Sequence, residues 1–373
     1  MDEKRVLLLG GTGTLSSAVL KEAMSHGWNV TILNRGFRQK ELPVGTNVII
    51  GDFYNISSWI DKVATLKFDV VVDFLSRKDT DIKRVYPLLK KVCKQYIFIS
   101  SACVYKRDSN DFPLTEDSPK PNEKWNYNVE KYDAERTLVR LAADFCAKFT
   151  IVRPYITYDD ERIPFGISPI YKYHRTLLER IKCGKPMFVW KNGENVTTLT
   201  YVSDFAKGVV GLFLNVNAFN QDFHITSDYH YTWNEFWKIL CSKMNVKPSI
   251  YNISLEEFEK YLPRYSCMLR GDRALDAIFD NEKIKKAVPT LKFDYSLSEG
   301  IDRILKYYDD LESWDYDYEY DALVDRMLSS KSSNCTYVKY KNSKRTSCIV
   351  YHLYRYLPYR IALKICRVLK IKK

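Results

Sequence analysis

Arg5-Val6-Leu7-Leu8-Leu9-Gly10-Gly11-Thr12-Gly13-Thr14-Leu15-Ser16 decides the fold class of this chain. The run Val6-Leu7-Leu8-Leu9 is apolar throughout, the pattern of a strand covered on both faces. Glycines follow at once, and without a Cβ they let the backbone turn tightly and approach a ligand. The helix that opens after them offers unpaired N–H groups and the positive end of its dipole, which together receive a phosphate. The spacing fits G-x-x-G-x-x-S as well as G-x-G-x-x-S, with Ser16 where a third glycine would let the helix pack on the sheet. Between a first strand and a first helix this is a dinucleotide-binding turn, with Gly10, Gly13, Thr14 and Leu15 as candidate cofactor contacts.

Outward from this turn, apolar runs at 5–10, 29–35, 47–52, 69–75, 95–101 and 149–154 alternate with helical patterns near 16–26, 82–94 and 122–148. The alternation predicts an α/β fold, a doubly wound parallel sheet of the Rossmann kind, with ligands at the carboxyl ends of its strands. Residues 1–160 are expected to form this domain, with late elements from about 187–228. A smaller α/β substrate-binding domain is expected over 161–310, interleaved with it. Its elements are a helix near 171–183, strand-like runs at 187–191 and 197–202, a helix from Ser203, a strand at 223–226, and a helix over 232–244 capped by Thr232. Residues 309–325 are acidic and tyrosine-rich, which predicts a solvated helix or connector within an acidic segment 311–330. Ser329-Ser330-Lys331-Ser332-Ser333 reads as a linker into a basic tail, 331–373.

The second run ends in Asn34-Arg35. An acidic residue there would hold the adenosine ribose hydroxyls of NAD. Arg35 favours the 2′-phosphate of NADP through charge-assisted hydrogen bonds, or else stacks on adenine or faces solvent. Asp52, followed by Phe53, either accepts a hydrogen bond from the adenine amino group or caps a helix. Phe74 stands near the end of the fourth run. Tyr127 and Lys131 are four apart, on one face of a helix. A phenol of pKa about 10 is a poor base at neutral pH, and a neighbouring ammonium makes its phenolate easier to form. Ser101 closes the fifth run, which brings its hydroxyl to the ligand crevice.

Together these motifs resemble the extended short-chain dehydrogenases/reductases of the NAD-dependent epimerase/dehydratase family, the type that modifies nucleotide-linked sugars. The likeness spans residue 5 to about 310. It is carried by Gly10-Gly11-Thr12-Gly13, Ser101 four residues before Tyr105, Tyr127 with Lys131, Glu135 one turn further, and Arg153-Pro154. Tyr201-Val202-Ser203-Asp204, Ile225-Thr226-Ser227 and Thr232-Trp233-Asn234-Glu235 are weaker echoes. The resemblance implies a catalytic set of Ser101, Tyr127 and Lys131. Tyr127 would exchange a proton with a substrate hydroxyl while hydride passes between a sugar carbon and nicotinamide. Lys131 would bind the nicotinamide ribose and tune Tyr127, and Ser101 would polarise the transient ketone. Cofactor contacts are expected from Gly10, Gly13, Thr14, Leu15, Asn34, Arg35, Asp52, Phe53, Phe74, Tyr127, Lys131 and Pro154, with NAD(P) as cofactor and a modest lean to NADP.

Two departures narrow the chemistry that the resemblance implies. Family dehydratases carry an Asp-Glu pair directly after the active-site Ser or Thr, where this chain has Ala102-Cys103. Dehydration is thereby disfavoured, leaving epimerisation through a keto intermediate or ketone reduction. Members that bind nucleoside diphosphates often have an arginine where Thr197 stands. Arg264, Arg270 and Arg273 are either its substitutes or surface charges. The family often forms homodimers through the helix bearing Tyr127 and its neighbour.

Composition sets the remaining bounds. The net charge of +12 lies wholly in the tail: twelve Lys or Arg and no Asp or Glu follow Ser330, so residues 1–330 hold 46 of each sign. A neutral body gives no basic footprint for specific nucleic-acid binding. The nine cysteines are scattered with no CxxC, which predicts reduced thiols, no structural zinc and a cytoplasmic setting. The five histidines show no paired spacing, and no metal is expected. From Tyr359 onward Arg360, Lys364 and Arg367 recur at helical spacing opposite apolar residues. Such a segment either lies on anionic lipid at the inner membrane face or docks on the acidic 309–325 stretch or a partner subunit. The alternative to an enzyme is a catalytically silent dinucleotide-binding sensor or an RNA-associated relative.

Overall fold

The computed structural model describes residues 3–37, 42–107, 112–143, 147–312 and 314–371. The chain forms two compact units, each assembled from separated segments. The first takes residues 1–157, 198–229 and 277–295.

This first unit is built on a seven-stranded parallel sheet. Its strands are β1 (Arg5–Leu9), β2 (Asn29–Asn34), β3 (Asn47–Ile50), β4 (Phe68–Asp73), β5 (Cys93–Ile99), β6 (Lys148–Pro154) and β7 (Gln221–Ile225), in the order β7-β6-β5-β4-β1-β2-β3. Order reverses next to β1, the switch point at which such sheets open a ligand crevice. The continuous apolar runs are explained by two-sided burial. Val6, Leu8, Val30, Ile32, Val72 and Ile97 enter one core, and Leu7, Leu9, Leu33, Val71, Tyr96 and Phe98 the other. Helix α1 (Thr14–Ser25) and helix α4 (Val202–Gly211) pack together on the first face. Helices α2 (Asp79–Leu89) and α3 (Asn126–Ala142) pack together on the second. Helix α2 ends earlier than its sequence pattern suggests, because Val92 N–H turns back to the Leu89 carbonyl (3.0 Å) and β5 already begins at Cys93. Residues 277–295 complete the first core with Ile284, Val288, Leu291 and Phe293.

The second unit comprises residues 158–197, 230–276 and 296–373. A short parallel pair, Met187–Trp190 with Ile250–Ile253, lies among helices. The helix Trp233–Lys243 is capped by Thr232, whose hydroxyl accepts Glu235 N–H (3.1 Å). Phe165, Phe188, Trp190, Trp233, Phe236 and Trp237 form an aromatic core, with Phe165 and Trp237 centroids 4.7 Å apart.

The expected solvated connector is instead a buried element. In the helix Tyr318–Leu328, Asp321 and Asp325 are fully enclosed and Tyr320, Val324 and Leu328 are without exposure. Its acidity is consumed locally. Arg180 pairs with both carboxylates, and Lys185 lies 2.8 Å from Asp321 and 2.6 Å from Asp325. The basic tail docks here too: Tyr340 donates to Asp321 (3.0 Å) and Tyr351 to Asp325 (2.6 Å). Its helices are Ser347–Tyr356 and Tyr359–Val368. Of the nine cysteines, Cys146 lies outside the described residues and the other eight are free thiols.

Candidate active site

The site is assembled at the carboxyl ends of β4 and β5, where α3 is pinned. Lys131, on α3, is buried, and its ammonium donates to the carbonyls of Ile99 (2.9 Å) and Ser76 (2.9 Å). One turn on, Glu135 accepts from Ser100 Oγ (2.5 Å) and forms a two-point pair with Arg153 (2.9 and 2.8 Å). Residues 99 and 100 are thus each tied to α3, and Ser101 follows directly. Ser101 is buried, and its Oγ accepts a hydrogen bond from Cys103 N–H (3.3 Å). Burial lowers the Lys131 pKa to about 8, partly offset by the Asp73 and Glu135 carboxylates, so its proton is labile near neutrality.

Tyr127 sits on the first turn of α3, half-buried. The Trp125 ring lies against it with centroids 4.8 Å apart, and the Arg77 guanidinium is 5.1 Å from its centroid. Glu130 holds Arg77 there through an ion pair of 2.7 Å.

Two residues that sequence reasoning missed position this group. Asp73 ends β4 fully buried; its Oδ1 accepts the N–H groups of Leu75 and Ser76 (both 2.9 Å), and its Oδ2 accepts Tyr96 O–H (2.5 Å). That turn fixes the Ser76 carbonyl on which Lys131 rests. The signal was present: a carboxylate closing the run Val70-Val71-Val72 has no apolar role, so it must serve the turn. Arg153, quoted only as a family mark, is the hub of a buried network. Besides Glu135 it donates to the Tyr105 hydroxyl oxygen (2.8 Å) and pairs with Asp222 (2.7 Å).

The glycine turn lies beside the same sheet end. Gly10 and Gly11 have φ of +119° and +110°, the left-handed region that favours glycine. A Cβ on Gly11 would stand 2.7 Å from Ile32 Cγ2. Gly10 N–H donates to Leu33 O (2.9 Å), and a Cβ there would meet Phe74 at 3.7 Å, which brings Gly10, Phe74 and the end of β2 together. Gly13 caps α1, followed by half-buried Thr14 and Leu15, and the first turn holds no acidic residue to repel an anion.

The remaining predicted contacts divide. Asn34 turns its Oδ1 to Gly36 N–H (2.8 Å), while its Nδ2 is buried with no partner among the described residues. A buried donor left in this way calls for an acceptor from a ligand. Arg35 is exposed, 5.4 Å from the Phe37 ring centroid. Asp52 is exposed and its Oδ1 accepts Tyr54 N–H (3.0 Å), which closes a loop turn rather than capping a helix, since the short helix Ile56–Ser58 starts from Asn55. Phe53 turns its ring into the core beneath Arg84, leaving its backbone for any ligand. Pro154, buried, ends β6. The glycine turn, the anion-compatible helix start and the orphan Asn34 donor fit a dinucleotide.

None of the proposed stand-ins for a diphosphate-binding arginine is a spare cation. Arg264 pairs with Glu319 (2.8 Å), and Arg270 with Glu259 and Glu256. Arg273 is buried beside Asp272, and Thr197 is buried as well.

Known proteins agree with this architecture. The chain is 25% identical over 275 residues to the chloroplast stem-loop binding protein of 41 kDa b of Arabidopsis thaliana, covering 69% of this chain and 68% of that one. It is 21% identical over 237 residues to 2′-dehydrokanamycin reductase of Streptomyces kanamyceticus, covering 64% and 66%. Its fold is similar to that of epimerase Mth375 of Methanothermobacter thermautotrophicus, with TM-score 0.68, 16% identity, and coverage of 83% of this chain and 93% of that one. It is also similar to UDP-glucuronic acid 4-epimerase of Bacillus cereus, solved with UDP-glucuronic acid and NAD, with TM-score 0.66, 16% identity, and coverage of 82% and 99%. The NAD dependent epimerase/dehydratase family matches residues 6–225, more than half of the chain and nearly all of the sheet just described, and the chain belongs to that family.

Proposed function

We propose that this chain is an NAD(P)-dependent oxidoreductase acting on a sugar, nucleotide-linked, as an epimerase through a keto intermediate or as a ketone reductase. The observation that carries the reading is Lys131: a buried ammonium on two carbonyls, one turn from Tyr127 and tied to the strand end that bears Ser101. Bound nicotinamide would supply the hydride donor or acceptor. Tyr127 moves the proton of the reacting hydroxyl, Lys131 favours its phenolate, and Ser101 Oγ holds the reacting oxygen. Gly10, Gly13, Thr14, Leu15 and Asn34 hold the dinucleotide, with Phe74, Pro154 and the backbone of Asp52 and Phe53 lining its place. Exposed Arg35 supports NADP through its 2′-phosphate. Ala102 and Cys103 offer no acid–base pair for dehydration. The nucleotide link is supported by neighbours whose structures hold UDP-sugars, and here it has to be recognised without a spare arginine at 264, 270 or 273. The free thiols support a cytoplasmic setting, with the tail at the inner membrane face. A homodimer through α3 belongs to the same reading; exposed Val139 supports it, and solution mass tests it.

Tyr127→Phe tests the chemistry. Turnover should fall by roughly 10²–10⁴-fold with NAD(P) affinity retained; unchanged turnover would sink the assignment. The likeness to a stem-loop binding protein supports a second reading, a dinucleotide-binding RNA partner. In that case purified protein would bind structured RNA and show no turnover with any keto or hydroxy sugar.

A further inference from the structure

The tail has an inward and an outward face, and the outward one is cationic. Inward, Tyr351, Tyr354, Ala362 and Cys366 are buried, and Tyr359 O–H donates to Glu319 (3.3 Å). Arg326 donates to the Leu357 carbonyl between the two tail helices (2.6 Å). Docking on its own fold therefore occupies the small-residue stripe of the last helix. Outward lie Arg360, Lys364, Arg367 and Lys370, all exposed, and none has an acidic partner among the described residues. Beside them on that face stand Ile361 (49% exposed) and Val368 (72%), with Leu369 (55%) exposed at the helix's end. Positions 360, 361, 364, 367 and 368 share one side of an α-helix.

We propose that this face is a docking surface for an anionic lipid bilayer, with the helix lying in the headgroup layer while its inner side stays seated on the protein. The alternation of cations with large aliphatic side chains identifies the partner. A nucleic-acid backbone rewards the cations alone, whereas a bilayer rewards both, taking charge at its phosphates and aliphatic groups just below. Attachment is superficial and salt-reversible, since no helix among the described residues is long and apolar enough to cross a membrane. About a sixth of this chain has no counterpart in epimerases matched over nearly their whole length, so it carries an addition to the shared fold. The inference rests on the peripheral-membrane part of the reading above and not on its chemistry.

Deleting residues 331–373 would also strip Tyr340 and Tyr351 from buried carboxylates, so the test uses the full chain with surface substitutions. Co-sedimentation is measured with phosphatidylserine–phosphatidylcholine vesicles and with pure phosphatidylcholine vesicles, at low and high salt. The parent should bind the anionic vesicles and be released by salt. Replacing Arg360, Lys364, Arg367 and Lys370 by Gln should weaken binding on the order of fivefold per cation, several hundredfold in all. Replacing Ile361, Val368 and Leu369 by Ser should weaken it roughly tenfold or more with the salt dependence kept. Both variants should keep the parent's melting temperature and NAD(P) affinity, which separates this failure from failure of the catalytic reading. No preference for anionic vesicles, or equal binding by the Gln variant, overturns the proposal. So does tighter binding to single-stranded RNA that the Ser variant leaves unchanged, which would make this a nucleic-acid surface.

Discussion

Lys131 and Lys185 are both buried lysines, and they are satisfied in opposite ways. Lys185 meets two carboxylates and shares them with Arg180, so two positive and two negative groups close on each other. Lys131 donates to two carbonyl oxygens and forms no ion pair among the described residues, with the Asp73 and Glu135 carboxylates acting from further off, and burial brings its pKa down to about 8. Full pairing makes a cross-link between elements. Hydrogen bonds to carbonyls without a direct ion pair make a group that gives up its proton within reach of physiological pH. The first suits architecture, and the second suits proton chemistry.

The difference can be broken most severely at the paired cluster. Asp321→Ala leaves Arg180 and Lys185 short of a carboxylate, and should cost about 3–5 kcal/mol in denaturant unfolding, much of the stability of a typical domain. Substituting the lysines themselves gives the sharper contrast. Lys131→Met should lower turnover by roughly 10²–10⁴-fold while leaving the melting temperature equal or higher. Lys185→Met should lower the melting temperature and spare turnover per folded molecule. The reverse pattern would show that the two roles have been exchanged.

Titration sharpens it further. Lys131 has a folded pKa of about 8, against about 10.4 when unfolded. Between those values the unfolded chain binds more protons, so stability should rise with pH across the window by up to about 3 kcal/mol. Below pH 8 the cost of burying the charge is fully present. Lys131→Met should lack this rise, and parent activity should fall above about pH 8 as the ammonium is lost. The smallest effect is expected at the rim of the paired cluster. Tyr340→Phe removes one donor from Asp321 and should cost about 1 kcal/mol, read as a melting shift of a few degrees.

How much of this was legible in the sequence follows from the range of the interactions. The parallel sheet was legible because two-sided burial leaves unbroken apolar runs such as Val70-Val71-Val72, and the glycine turn because Gly10 and Gly11 answer a local backbone demand. The spacing of Tyr127 and Lys131 on one helical face is local as well. The helix Tyr318–Leu328 was misread because Asp321 and Asp325 are matched by Arg180 and Lys185, some 140 residues earlier. Composition cannot show a charge neutralised from that distance. For the last helix, periodicity revealed two faces but not which one turns inward. Ala362 and Cys366 go inside because small side chains allow close approach, leaving Ile361 and Val368 outside with the cations.

The interleaving of the two units has a consequence for synthesis. The sheet lacks its edge strand until Ile225 has been made, and one of its two cores lacks Ile284, Val288, Leu291 and Phe293 for some sixty residues more. A ribosome therefore carries a half-covered sheet through most of translation. The amino-terminal residues thus cannot complete their fold early, and the face already carrying α1 and α4 keeps part of its apolar surface open until residues 284–293 are made.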